Sequence, residues 1–141
     1  MNSPFLRLVV LTLGVSLLLL ACRSDRDDDR PTPAPPPSIY EPDPDAPPGT
    51  GRLRVYVFVG ERYQPVREAD ISLYLSLADL ERDLYLDRGV TGRSGVVDFG
   101  FLNAGNYYVL VEHVSPETRY SLTEPLQVQL GQTLTRNLIL Y

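Results

Sequence analysis

The chain has 141 residues, 13 basic and 18 acidic side chains, a net charge of −5 and 43% apolar residues. That length allows one small domain beside its flanking segments, and an acidic balance argues against nucleic-acid binding, which needs a basic patch. One cysteine excludes an intramolecular disulfide, one histidine excludes sites built on paired imidazoles, and a basic set made only of arginine excludes chemistry that needs lysine.

The first element in chain order is an apolar run over residues 8–20, interrupted only by Thr12, Gly14 and Ser16 and preceded by the single charge Arg7. A transmembrane helix needs about 20 apolar residues, and this run is shorter. Arg23-Ser24-Asp25-Arg26-Asp27-Asp28-Asp29-Arg30 follows and cannot prolong a span. A positive start, a short apolar stretch and a small residue before the cut describe a secretory signal. Leu19-Leu20-Ala21-Cys22 closes the run and resembles the lipobox of bacterial lipoproteins. The resemblance implies cleavage after residue 21 and lipidation of Cys22, whose acyl chains (palmitate among them) anchor the protein. It accounts for an odd cysteine in an exported chain, and more than one acyl chain is what stable anchoring requires. Arg23 stands where an aspartate often retains lipoproteins in the inner membrane, so the expected location is the outer membrane. Ser24-Asp25 and Asp27-Asp28-Asp29 are similar to the acidic export signal of surface lipoproteins in Bacteroidetes. Such a run is also an ordinary solvated spacer, and both the periplasmic and the surface side stay open.

Residues 31–48 read PTPAPPPSIYEPDPDAPP. Proline at this density removes backbone donors and fixes φ, which predicts a disordered, semi-rigid spacer rather than a helix or sheet. Residues 22–50 are therefore read as an acidic, proline-rich tether, and 51–141 as the folded domain.

Within the domain, Leu53, Val55, Val57 and Val59 alternate with Arg54, Tyr56 and Phe58, which predicts a half-buried strand over 51–60. Ala69, Ile71, Leu73 and Leu75 alternate with Asp70, Ser72, Tyr74 and Ser76 in a second. Residues 76–83 lose the alternation and read as a loop or one helical turn; 84–90 reads as a weak third strand. Thr91-Gly92-Arg93-Ser94-Gly95 is turn chemistry. Further strands follow at Val97 and Phe99, over 106–113 with Tyr107, Val109 and Val111 on one face, at Leu126, Val128 and Leu130, and over 134–141. Seven short strands with turns every 8 to 12 residues predict an all-β, antiparallel sandwich.

Pro65-Val66-Arg67-Glu68-Ala69-Asp70-Ile71-Ser72-Leu73 is similar to the PV-x-x-A-x-V-x-L signature of carboxypeptidase regulatory-like and collagen-binding B-type domains. Thr91 to Gly95 with Val97 and Phe99 resembles their T-D-x-x-G-x-F-x-F, and Leu102-Asn103-Ala104-Gly105-Asn106-Tyr107-Tyr108-Val109 resembles their L-P-x-G-x-Y-x-V. The likeness covers the whole domain, rests on turn and core positions, and implies a prealbumin-like (transthyretin-like) seven-stranded sandwich. Fold alone does not carry function. Without lysine the chain cannot form the internal isopeptide bond of some B-type domains. One histidine and the ending Leu138-Ile139-Leu140-Tyr141 depart from the related hydroxyisourate hydrolases and intradiol dioxygenases.

His113 is the one conventional general base, at a strand end with Glu112 on the opposite face; a solvated edge histidine is the plainer reading. Asp79, Glu81, Asp83 and Asp87 lack the spacing of a calcium loop and are interleaved with Arg82 and Arg88. Residues 89–95 lack the lysine of a phosphate loop. No cofactor or metal site is read. The leading functional candidate is an outward aromatic face of Tyr56, Phe58 and Tyr74 with Arg54 nearby, formed if the first two strands are neighbours. Such a face could stack on sugars or bury against a partner. Tyrosine and phenylalanine are also simply good strand formers, and that reading stands beside it. The sequence thus predicts a non-enzymatic, membrane-anchored envelope lipoprotein presenting its sandwich to an envelope protein or polysaccharide. The alternative is a small-ligand carrier or accessory subunit of an envelope enzyme or transporter.

Overall fold

The computed structural model describes residues 37–141. The signal segment 1–21, Cys22 and the acidic part of the tether lie outside the described residues. In chain order the elements are β1 (Ile39–Pro42), β2 (Thr50–Val59), β3 (Gln64–Pro65), β4 (Asp70–Tyr74), the short helix α1 (Leu77–Glu81), β5 (Asp87–Val90), β6 (Val96–Asn103), β7 (Gly105–Val114), β8 (Arg119–Val128) and β9 (Gln132–Leu140).

Alternation places the core. Leu53, Val55 and Val57 of β2 are fully buried while Arg52, Arg54, Tyr56 and Phe58 between them are half-buried, because successive strand residues point to opposite faces. Ile71 and Leu73 of β4, Tyr107, Val109 and Val111 of β7, Leu126 and Val128 of β8, and Leu134, Leu138 and Leu140 of β9 meet them in one cluster. Each such aliphatic side chain contributes about 1.5–3 kcal/mol by leaving water.

The strands form two sheets. The first has the order β1-β9-β2-β6, with β3 pairing the far end of β2; the second is the antiparallel β5-β4-β7-β8. Their apolar faces pack on each other as a sandwich-like arrangement. It departs from the predicted seven antiparallel strands in count and in direction. The described residues form nine strands, because β1 and β3 are too short for a period of two to show in sequence. One pair is parallel: β2 runs alongside β9, with Leu53 beside Leu134 and Val57 beside Leu138. Periodicity reports which face a residue takes and says nothing of which strand lies next to it.

Within the described part of the segment read as a tether, a sheet strand stands where a spacer is expected. Residues 39–42 form an edge strand antiparallel to β9, Ile39 opposite Thr135 and Pro42 opposite Gln132. Proline is tolerated there because an edge strand leaves one side of its backbone unpaired. The Tyr40 hydroxyl donates to the Gln127 carbonyl of β8 (2.9 Å), the Thr133 hydroxyl to the Asp43 carboxylate (2.8 Å), and Asn137 Nδ2 to the Pro37 carbonyl (2.8 Å). The segment therefore ties to both sheets. Beside it Arg136 occupies a core-side position of β9, in register with Val55. Its guanidinium pairs with Glu124 of β8 and reaches Ser38 Oγ (3.2 Å), closing that side of the sandwich.

Several residues that carry the family resemblance do structural work. The buried Thr91 donates its hydroxyl to the Val66 carbonyl (2.7 Å) and accepts from the Ala69 N–H (2.8 Å). The Tyr107 hydroxyl donates to the Asn103 carbonyl (2.6 Å), bracing the corner at Ala104 where the chain passes from one sheet to the other. Gly51 lies where β2 passes under the β8–β9 turn: a Cβ there would stand 2.1 Å from the Gln129 carbonyl oxygen and 2.9 Å from that of Gln132. Gly51→Ala is therefore expected to destabilise by about 1–3 kcal/mol through overpacking. Gly92→Ala, with nothing within 4 Å of its Cβ, should stay within about 0.5 kcal/mol of the parent. Denaturant midpoints measure both, and equal midpoints would contradict the close approach at Gly51.

Candidate functional site

The outer face of the first sheet is organised by a bulge. Between Leu53, opposite Gly100, and Arg54, opposite Asp98, the β6 strand carries one extra residue, Phe99, whose side chain packs against the core. Gly100 takes φ of 70°, a left-handed value that glycine adopts without Cβ strain. A bulge re-aims neighbouring side chains, and here it brings Asp98 over β2. Its carboxylate accepts from Arg52 Nε (3.2 Å) and Nη2 (2.7 Å), from Arg54 Nε (3.0 Å) and from the Gly100 N–H (2.9 Å). Desolvation pushes the Asp98 carboxyl upward, but the bonds from Arg52, Gly100 and Arg54 outweigh it and hold the pKa at about 2. The Arg52 guanidinium also lies over the Phe101 ring, 5.6 Å from its centroid, a cation–π contact.

The structure divides the predicted aromatic face. Arg54, Tyr56 and Phe58 share the outer side of β2, and the two rings lie near-parallel with centroids 6.4 Å apart. Tyr74 is not with them, because β2 and β4 belong to opposite sheets. It is 1% exposed, although alternation puts it on the outer side of its own sheet, opposite Tyr108. Its hydroxyl donates to Asp83 Oδ1 (3.0 Å). Burial and then this bond to Asp83 raise the phenol above its ordinary value. The covering is the excursion between β4 and β5. Ser76 caps α1 by accepting from the Asp79 N–H (3.1 Å), a common helix-start device. The chain then turns back, and the Leu86 N–H bonds to the Leu73 carbonyl (2.7 Å).

That excursion carries the surface the sequence reading passed over. Leu75, Leu77, Leu84 (58% exposed), Tyr85 (51%) and Leu86 all stand in solvent, and Phe101 of β6 is 40% exposed. Leu86, Phe101, Leu102 and Tyr107 line a groove of about 320 Å³ with Thr50, Asp87 and Asn103. The signal was present in sequence: Leu84-Tyr85-Leu86 is three apolar residues in a row, a pattern that half-buried alternation does not make. It was read as part of a weak strand, whereas β5 begins only at Asp87.

His113 stands apart, at the opposite end. Its ring stacks on Tyr120 (6.2 Å between centroids, 18° between planes), and among the described residues its buried Nδ1 has no hydrogen-bond partner. Glu112 faces the other way and pairs with Arg119 (3.0 Å). Asp79, Glu81, Asp83 and Asp87 are spread over the excursion, and among the described residues no three metal-ligating side chains converge. Compared with known protein families and with curated proteins, the chain matches no family model and no relative.

Two outcomes follow from this geometry. Asp98 titrates below a free carboxyl, so its contribution is whole above roughly pH 4 and is lost as pH falls toward about 2. The stability gap between the parent and Asp98→Asn, about 1 kcal/mol after solvent screening, should be flat from pH 5 to 8 and close below pH 4. A gap independent of pH would show that the carboxylate charge does not matter. Tyr74→Phe removes the bond to Asp83 and should cost about 1 kcal/mol, with faster amide exchange confined to residues 76–86. Exchange unchanged there would show that the bond does not hold the excursion down.

Proposed function

We propose that this chain is a lipid-anchored lipoprotein of the bacterial outer membrane. Its β-sandwich, of the prealbumin-like, regulatory-like kind, acts as a non-catalytic binding module for a partner protein or polysaccharide of the envelope. The observation that carries the binding role is the run of consecutive exposed apolar residues Leu84-Tyr85-Leu86, whose Leu86 joins the exposed Phe101 in lining an open groove. Exposed apolar surface concentrated in one place marks a contact site, whereas surface apolar residues scattered singly need no explanation. The structural duties of Thr91 and Tyr107 support the family likeness, since those positions serve turns and corners rather than chemistry. Stacking of the one histidine on Tyr120, with Glu112 turned away, supports the non-enzymatic reading.

The groove also supports the second reading, a small-ligand carrier or accessory subunit. Its volume of about 320 Å³ falls at the low end of ligand sites, roughly 300–1,000 Å³, and its lining mixes Leu86, Phe101, Leu102 and Tyr107 with the polar Thr50, Asp87 and Asn103. Carriers enclose their cargo, however, and this groove lies open along the edge between β5 and β6.

Anchoring is tested on the full chain in cells. Cys22→Ser is expected to abolish acylation and to move the protein from the membrane to the soluble fraction. Membrane association unchanged in that variant would remove the lipoprotein assignment.

A further inference from the structure

The geometry points to a cationic, apolar-bearing segment of a partner protein as the occupant of this exposed apolar run, an inference that rests on the sandwich being a binding module. Charge is the argument. Asp79, Glu81, Asp83 and Asp87 are interspersed along the chain with the exposed apolar residues, with Arg82 among them. The bonds those carboxylates accept come from neutral donors: Asp79 from the Ser76 hydroxyl (2.6 Å), Asp83 from the Tyr74 hydroxyl (3.0 Å), Asp87 from the Arg88 N–H (2.7 Å). Neutral donors leave the negative charge in place. The side chain of Arg88 is directed to Asp70 (3.1 Å) instead. Leu77, Leu84, Tyr85 and Leu86 therefore stand among carboxylates along the chain, Leu84-Tyr85-Leu86 directly between Asp83 and Asp87, and the complementary surface pairs apolar side chains with arginine or lysine.

Anionic lipid headgroups would be repelled by the same carboxylates, which selects a protein segment over a lipid surface.

The chain contains no tryptophan, so Tyr85→Trp places a single reporter at the proposed contact. The full chain carrying it is reconstituted in phosphatidylglycerol liposomes and titrated with an alternating Lys-Leu decapeptide, with its Glu-Leu counterpart as control. The inference expects solvent-like emission in bare liposomes, insensitive to brominated lipid, and a saturable blue shift with the Lys-Leu peptide. It expects at least tenfold weaker response to the Glu-Leu peptide, and at least threefold weaker Lys-Leu binding when Glu81→Lys is added. Quenching by brominated lipid would make the membrane the occupant; equal response to both peptides, or none, would overturn the inference outright. A chain that fails to float with liposomes would refute the anchor alone, since the peptide titration then reads out in solution.

Discussion

Parallel pairing of β2 with β9 is the contact on which the other features depend. The two strands come from opposite ends of the folded region, and every residue of the second sheet lies between them in sequence. Leu53, Val55 and Val57 on one and Leu134 and Leu138 on the other form the floor on which that sheet packs. Parallel neighbours require a long crossover, and here the crossover is most of the domain. Pairing at such separation must overcome loop-closure entropy before packing compensates it, which places the fold among slowly forming topologies. It also makes the C-terminal strand indispensable to the N-terminal one.

Once β9 is beside β2, its outer edge is open, and β1 covers it. The cover is thin: four residues, with side-chain bonds from Tyr40, Asp43 and Ser38 to β8 and β9. Arg136 and Glu124 close the gap between the sheets behind it. A half-exposed ion pair of this kind contributes little stability by itself; its position keeps the core edge filled. The opposite side is finished differently. There β6 and β5 approach, and the groove opens where the excursion after β4 turns back. One edge is covered by β1 and the other is left open at the groove.

The excursion after β4 carries exposed apolar residues with carboxylates between them along the chain, and the outer face of the first sheet is polar around a shared carboxylate. Asp98 is held by two arginines and a backbone N–H, so its bonding capacity is already used within the protein. Tyr56 and Phe58 lie half-buried beside it. The side chains of Leu84, Tyr85 and Leu86, by contrast, are exposed, and the bonds that hold this stretch are made by its backbone. A binding role therefore rests more readily on the excursion than on the β2 face from which the sequence reading began.

The sequence by itself determined the inward and outward alternation of β2, β4, β7 and β9, the turn at Gly95, and the class of the fold, because alternation is local chemistry. It also carried the Leu84-Tyr85-Leu86 run, whose exposure only the tertiary structure could assign. Which strands are neighbours was beyond it. Tyr74 alternates with its neighbours as an exposed residue would, yet it is buried because α1 and Asp83 fold over it, a contact nine residues away along the chain. The proline-rich segment reads as a spacer because its propensity opposes a sheet interior, and β1 forms because an edge beside β9 does not demand one. Local residues decided which face each side chain takes; the pairing of distant strands decided which faces meet, and so where open surface remains.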